Sequence, residues 1–316
     1  MRAFIQPRIL VSRCIEYEAC RYNGGMVSNE TVQRLKSYAE MFPVCPEVEI
    51  GLGVPRNPVR LVKHQMETQL VQSNTGKDVT DEIGMFADRF LKSLPVIDGI
   101  IMKSGSPSCG LADVSIHTIS DDVKPRMKGR GLFAEKMQTW YPSLPKIDER
   151  DLTDLRLRDH FLTQIFTLAE FQAVKNHEIT KNLLQFHAEN KYLLTAHHRK
   201  EYAILTALAT NTEGRSFDVV MKEYHDHLLQ TLARPARVTS HILVLRHAIS
   251  HFTGALPAKD RQRFENIIDT YRRGDGPLSD TRNLIREWIV RYDEDYLGQQ
   301  TYFEPYPSDL EIVSGP

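Results

Sequence analysis

Cysteine is scarce in this chain, with 4 among 316 residues, and no two of them form a C-x-x-C pair. In a reducing cytosol a disulfide framework of the kind that staples small secreted domains is not expected. Charge of either sign is not in excess: 40 Lys and Arg stand against 41 Asp and Glu, a net charge of −1. Proteins that live on polyanions usually carry a basic surplus, so a dominant nucleic-acid-binding role is disfavoured, although a local basic patch is not. Long apolar runs are missing too. A run such as Leu94 to Met102 is far shorter than the stretch needed to span a bilayer. The N-terminus lacks the basic start, apolar core and small-residue cleavage site of a secretory leader. We expect no membrane partner and a cytoplasmic location.

What the chain does contain is unevenly spread. Cys14, Cys20, Cys45 and Cys109 all precede residue 110, and most histidines follow residue 150. The length suits about two domains. We place them at 1–148 and 149–316. The first part alternates strand and helix signals. Arg8-Ile9-Leu10-Val11 reads as a strand. Ser28 caps a helix with Val32, Leu35, Ala39 and Phe42 on one face. Val44-Cys45 ends a strand before Pro46. Pro58 to Val62 and Gln69 to Gln72 read as two short strands. Asp78-Val79-Thr80 opens a helix whose apolar positions are Ile83, Phe86, Ala87, Phe90, Leu91 and Leu94. Val96 to Met102 is a buried-type strand. Such alternation predicts an α/β domain, Rossmann-like, with a sheet parallel at its centre. Lys124 to Gly131 reads as a basic loop, with a linker through Pro142 and Pro145. From about Leu152 onward everything reads as helix: 153–174, 178–197, 199–210, 216–233, 237–253, 258–273 and 280–292. The fold class expected is thus α/β followed by all-α.

In open α/β sheets, sites form beyond the carboxyl ends of the strands. Cys14 follows the first strand, Cys45 ends the second, and Cys109 sits in the small-residue loop Lys103-Ser104-Gly105-Ser106-Pro107-Ser108-Cys109-Gly110 after the third. Thiolates there are soft ligands for zinc or an iron–sulfur cluster. The competing reading, isolated cysteines as small buried hydrophobes, has the better spacing argument. Two settings weigh against it: the loop around Cys109 has no apolar face, and Glu47 lies two residues from Cys45.

Six short motifs occur in order: Ser12-Arg13-Cys14, Arg21-Tyr22-Asn23-Gly24-Gly25, Cys45-Pro46-Glu47-Val48, Pro55-Arg56-x-Pro58, Asp78-Val79-Thr80 and Lys103-x-x-Ser106-Pro107-Ser108-Cys109-Gly110. Together they resemble the thiouracil desulfidase family over residues 6–118. The resemblance implies a 4Fe–4S cluster bound by Cys14, Cys45 and Cys109, with one iron left open, and catalytic roles for Glu47 and Ser106. It implies conversion of a thiolated pyrimidine, thiouracil or a 4-thio-UMP-like nucleotide, to the oxo form with release of sulfide. Arg13, Lys103 and Arg126 are candidates for a substrate phosphate. Cys20 has two readings, a fourth cluster ligand or a spare thiol near the site, and the second is preferred. The alternatives are a nucleic-acid or metabolite-binding protein with a structural cluster or zinc site, and a redox or sulfur carrier using Cys20 with a neighbouring thiol.

The helical half resembles a second domain, of unknown function, over roughly 170–312. His247 and His251 are spaced i, i+4, but without the H-E-x-x-H carboxylate they read as packed or surface residues. His187, Lys191 and His197 fall near one helix face, and Arg237, Arg246 and His247 on another. If the faces meet, they make a cationic pocket for an anionic ligand or RNA.

Overall fold

The computed structural model describes residues 2–65, 67–118, 127–176, 180–252 and 254–311. The chain divides into two compact units, one spanning Gln6–Asp154 and the other running from Leu155 onward with the N-terminal residues through Ile5.

The first unit is built on β1 (Arg8–Ser12), α1 (Glu30–Leu35), β2 (Glu40–Val44), α2 (Pro46–Glu49), β3 (Val59–His64), β4 (Glu67–Gln72), α3 (Thr80–Ser93), β5 (Gly99–Met102), β6 (Val114–Thr118), β7 (Met127–Gly129), α4 (Leu132–Trp140) and β8 (Lys146–Asp148). One sheet has the order β2-β1-β5-β8 and is parallel throughout. Every residue of β5 is buried, as its unbroken apolar run requires of a strand covered on both faces. A second sheet, β4-β3-β6-β7, is mixed: β3 pairs antiparallel with β4 and parallel with β6, which pairs antiparallel with β7. Helix α3 buries Ile83, Phe86, Ala87 and Leu91, the i, i+3, i+4 stripe read from sequence. Phe86 and Phe90 stack at 5.4 Å between ring centroids, and Phe133 of α4 lies 6.3 Å from Phe86. A fully buried aromatic of this kind is worth about 3–5 kcal/mol against truncation to alanine.

Three local expectations change. Helix α1 is capped by the Asn29 side chain, which accepts from the Val32 N–H at 3.1 Å, not by Ser28. It ends at Leu35, so Ala39 follows it and Phe42 lies in β2. The expected linker before Pro145 holds α4 instead, and β8 just beyond it adds to the parallel sheet. Of the expected basic loop, Met127–Gly129 form the edge strand β7, while Lys124 and Arg126 lie outside the described residues.

The regular elements among the described residues of the second unit are helices: α5 (Leu155–Asn176), α6 (Thr180–Glu189), α7 (Lys191–His197), α8 (Arg199–Thr210), α9 (Phe217–Thr231), α10 (Val238–Ile249), α11 (Ala258–Arg273), α12 (Leu278–Tyr292) and α13 (Asp295–Gly298), with short 3₁₀ segments. The long helix expected over 178–197 is broken at Asn190. That side chain is fully buried, donates to the Phe186 carbonyl at 2.9 Å and accepts from the Thr301 hydroxyl at 2.7 Å. Among the described residues no helix is long and apolar enough to cross a membrane.

Of the residues expected to line a cationic pocket, His187, Arg246 and His247 are engaged by neighbours within the helical unit. His187 is buried, with its ring nitrogens 3.0 Å from the Tyr224 and Thr206 hydroxyls, and burial pushes its pKa down to about 4. Arg246 is paired with Glu265 at 2.8 Å, and His247 stacks on Tyr192. Burial likewise drives His160 down to about 3 and His241 well below its ordinary value. These rings are neutral in the fold and must charge on unfolding, so their stabilisation is complete above an unfolded pKa of about 6.5 and is lost as pH falls below it. We predict that the helical unit weakens between pH 6.5 and 4, each buried histidine adding at most about 1.4 kcal/mol per pH unit. Urea melts of a Trp140→Phe chain, in which Trp288 of α12 is the reporter, check this. A flat midpoint over that range contradicts it.

Candidate active site

The order β2-β1-β5 sets three parallel strands side by side. The register aligns Ser12 with Val44 and Val11 with Ile101, so the residues just past each strand emerge at one edge. Cys14 follows β1, Cys45 follows β2 and the Cys109 loop follows β5. All three line a single cavity of about 170 Å³, and Cys20 joins them. With water occupying about 30 Å³ in the liquid, that volume admits a group of several heavy atoms.

Each thiol is held by local chemistry. Cys45 occupies the N-cap of α2, with Pro46 at the first helical position, and its carbonyl accepts from Val48 and Glu49 N–H at 3.1 and 3.0 Å. The Cys109 N–H donates to the Ser106 hydroxyl at 3.0 Å. The small-residue composition of this loop has a steric cause. A Cβ on Gly110 would sit 2.7 Å from the Ser106 carbonyl oxygen, and one on Gly131 only 2.3 Å from that of Ser108. Cys20 is fully buried, and its carbonyl accepts from the Cys45 thiol at 3.9 Å. The neighbouring Cys14 thiol pushes its pKa up to about 11, with burial adding to the shift. The neighbouring Cys20 thiol and burial raise the Cys45 thiol, and burial raises Cys109. Buried thiols of this kind ionise when a metal centre takes them.

Glu47 lines the same cavity as half of a buried ion pair. The Arg56 Nε and Nη2 donate to its Oε2 at 2.8 and 2.7 Å, and the Ser108 hydroxyl donates to Oε1 at 2.8 Å. Arg56 Nη1 also donates to the Cys20 carbonyl at 2.9 Å. Neither Arg56 nor Ser108 was singled out from sequence as a site residue, although both stand inside the quoted motifs. Their spacing from Glu47 carries no periodic signal that would have flagged the pairing.

Among the phosphate candidates, Lys103 lines the cavity. It is engaged by Glu149 at 2.6 Å and by the Ser104 hydroxyl at 3.0 Å. Burial alone would raise the Glu149 carboxyl, but the Lys103 and Ser104 donors outweigh it and hold the group below its usual range. Arg13 is paired with Glu49 and with Glu18 and is not part of the cavity wall. Arg126 lies outside the described residues.

Among the described residues no three His, Cys, Asp or Glu side chains converge tightly enough for a single metal ion. The thiols border a space instead. Soft sulfur donors set apart around a cavity fit a polynuclear iron–sulfur group better than one zinc ion.

A family model described as 2-thiouracil desulfurase matches residues 9–149, the stretch that carries this cavity. Residues 9–149 thus carry a 2-thiouracil desulfurase domain. YbgA of Escherichia coli K12 is 30% identical over 159 residues, half of this chain and 94% of that protein. A second model, a protein of unknown function known as DUF1722, matches residues 191–307 in the helical unit. YbbK of Bacillus subtilis is 29% identical over 154 residues, 46% of this chain and 99% of its own length. The chain is also similar to a solved structure of the [4Fe-4S]-dependent thiouracil desulfidase TudS, at 27% identity, 48% coverage of this chain, 97% of that one, and a TM-score of 0.37.

Proposed function

We propose that the α/β unit is a desulfidase that converts a thiolated pyrimidine, thiouracil or a 4-thio-UMP-like nucleotide, to its oxo form. The observation that carries this reading is the meeting of Cys14, Cys45 and Cys109 with Glu47 at one cavity, within the desulfurase domain. The three thiols are the donors for a 4Fe–4S cluster. Such a cluster, bound through three cysteines, supplies a thiophilic Lewis acid that polarises a C=S bond. The net reaction consumes one water and releases sulfide. The carbon keeps its oxidation level, so no external reductant takes part.

The remaining work falls to this chain's own side chains. Glu47 has one carboxylate oxygen held by Arg56 and the other by Ser108, which fixes its orientation toward the cavity. A carboxylate so held accepts a proton from water and returns it to the departing sulfur. Ser106, with its oxygen accepting from the Cys109 and Ser108 N–H groups, is placed to hydrogen-bond substrate. Lys103 is the phosphate candidate positioned at the cavity wall.

Protein purified without exposure to oxygen should be brown and contain iron and acid-labile sulfide. Mixed with 4-thiouracil or 4-thio-UMP, it should bleach the thione absorbance with matching sulfide release. Cluster-loaded protein that leaves both compounds intact overturns the desulfidase reading. A colourless, zinc-loaded preparation overturns the cofactor.

A further inference from the structure

Among the described residues, Arg21, Arg56 and Lys103 are the cations that line the thiol cavity. Two of them are spent on carboxylates, Arg56 on Glu47 and Lys103 on Glu149. Arg21 is different. It is half-buried, and no carboxylate among the described residues pairs with it. Its guanidinium lies 6.0 Å from the centre of the Tyr22 ring. Tyr22 lines the same cavity and is 45% exposed, so an aromatic side chain is left open at the wall beside an uncompensated charge.

The backbone holds both residues. The Gly24 N–H donates to the Arg21 carbonyl at 2.9 Å, closing a four-residue turn, and the Arg21 N–H donates to the Gly25 carbonyl at 3.2 Å. The Arg56 N–H donates to the Tyr22 carbonyl at 2.8 Å. The Arg56 side chain meanwhile donates to the Cys20 carbonyl at 2.9 Å and to Glu47. One residue therefore fixes the turn and the carboxylate relative to each other. An aromatic ring and a cation already in place lose little freedom when a ligand arrives.

We propose that Arg21 and Tyr22 are the specificity residues of this site, selecting a thiopyrimidine nucleoside that carries a phosphate: Tyr22 stacks on the ring and Arg21 pairs the phosphate. The thio group of the ligand rests on the desulfidase reading above; the recognition of ring and phosphate does not. A pyrimidine offers its π face to an aromatic side chain whatever its substituents. A guanidinium presents a planar fork of donors that matches two phosphate oxygens. Lys103 must give up Glu149 to do the same, so it is the weaker cation here. With Arg56 and Lys103 compensated, Arg21 supplies the positive charge that an anionic ligand meets at this wall. The free base lacks the phosphate and keeps only the contact with Tyr22.

UMP and uridine have no sulfur to release, so they probe recognition without turnover. Titrated calorimetrically against the full chain purified without oxygen, UMP should bind about tenfold more tightly than uridine, the worth of one charge-assisted pair. Arg21→Ala should abolish that advantage, and Arg21→Lys should restore part of it. Arg21→Gln, which keeps the stem, repeats the test where alanine loosens the turn. Tyr22→Ala should weaken UMP and uridine alike by about tenfold, and Tyr22→Phe should recover both. A phosphate reaches the site either on a free nucleotide or within a strand, and the dinucleotide UpU separates the two: whichever of UMP and UpU binds more tightly, with Arg21 dependence, is the source. Equal affinity for UMP and uridine, an advantage that survives both Arg21→Ala and Arg21→Gln, a Tyr22→Ala chain that binds like the wild type, or no measurable binding of any of these ligands overturns the proposal. These titrations can fail while 4-thiouracil is still desulfurised, and turnover can be absent while they succeed.

Discussion

Replacing Glu47 by Gln lowers the turnover of a thiopyrimidine by about 10²–10⁴-fold, the usual contribution of a positioned general acid–base, while iron and sulfide content persist. The amide retains an oxygen for Arg56 or Ser108 but cannot take a proton from water at neutral pH. The thiols proposed as cluster donors keep their own supports, the Ser106 hydroxyl at the Cys109 N–H and the first turn of α2 at the Cys45 carbonyl. Iron and acid-labile sulfide per chain, measured with single-turnover bleaching of 4-thiouracil, separate the two effects. If turnover persists at the wild-type rate, Glu47 moves no proton. If iron is lost as well, its role is to hold the site together.

The frame around Glu47 was readable in the sequence because its elements are local. The apolar run Ile100-Ile101-Met102 can only be a covered strand, and the stripe on α3 has the helical period. Convergence of Cys14, Cys45 and Cys109 was an inference from strand ends, and it required β2, β1 and β5 to be parallel neighbours. Sheet order is a long-range property, so the sequence could only suggest it. Side-chain partnership is less legible still. Arg56 and Glu47 are nine positions apart with no periodic relation, and Lys103 meets Glu149 only because β5 and β8 pair with Met102 beside Asp148. The linker assignment before Pro145 failed because the prolines there end α4 without preventing it. The cationic face drawn through His187 failed for a different reason. Polar residues on a helix look alike in sequence whether they face solvent or, like His187, lie against tyrosines in a core.

Removing Arg56 should have the second large effect, and it tests whether the carboxylate's environment is what the chain maintains. The side chains of Arg56 and Glu47 are only 3% and 10% exposed. Taking away the guanidinium leaves an uncompensated charge out of water, at a cost of about 3–5 kcal/mol in such pairs. Arg56→Met should therefore lower the stability of the α/β unit by that order. The double variant Glu47→Gln/Arg56→Met carries no buried charge at this point, and it should be more stable than Arg56→Met alone despite one more substitution. Urea melts of the two single variants and the double, followed through Trp140 in a Trp288→Phe background, give the coupling directly. Strict additivity would mean that the two side chains do not interact, and the orientation assigned to Glu47 would then lack its cause.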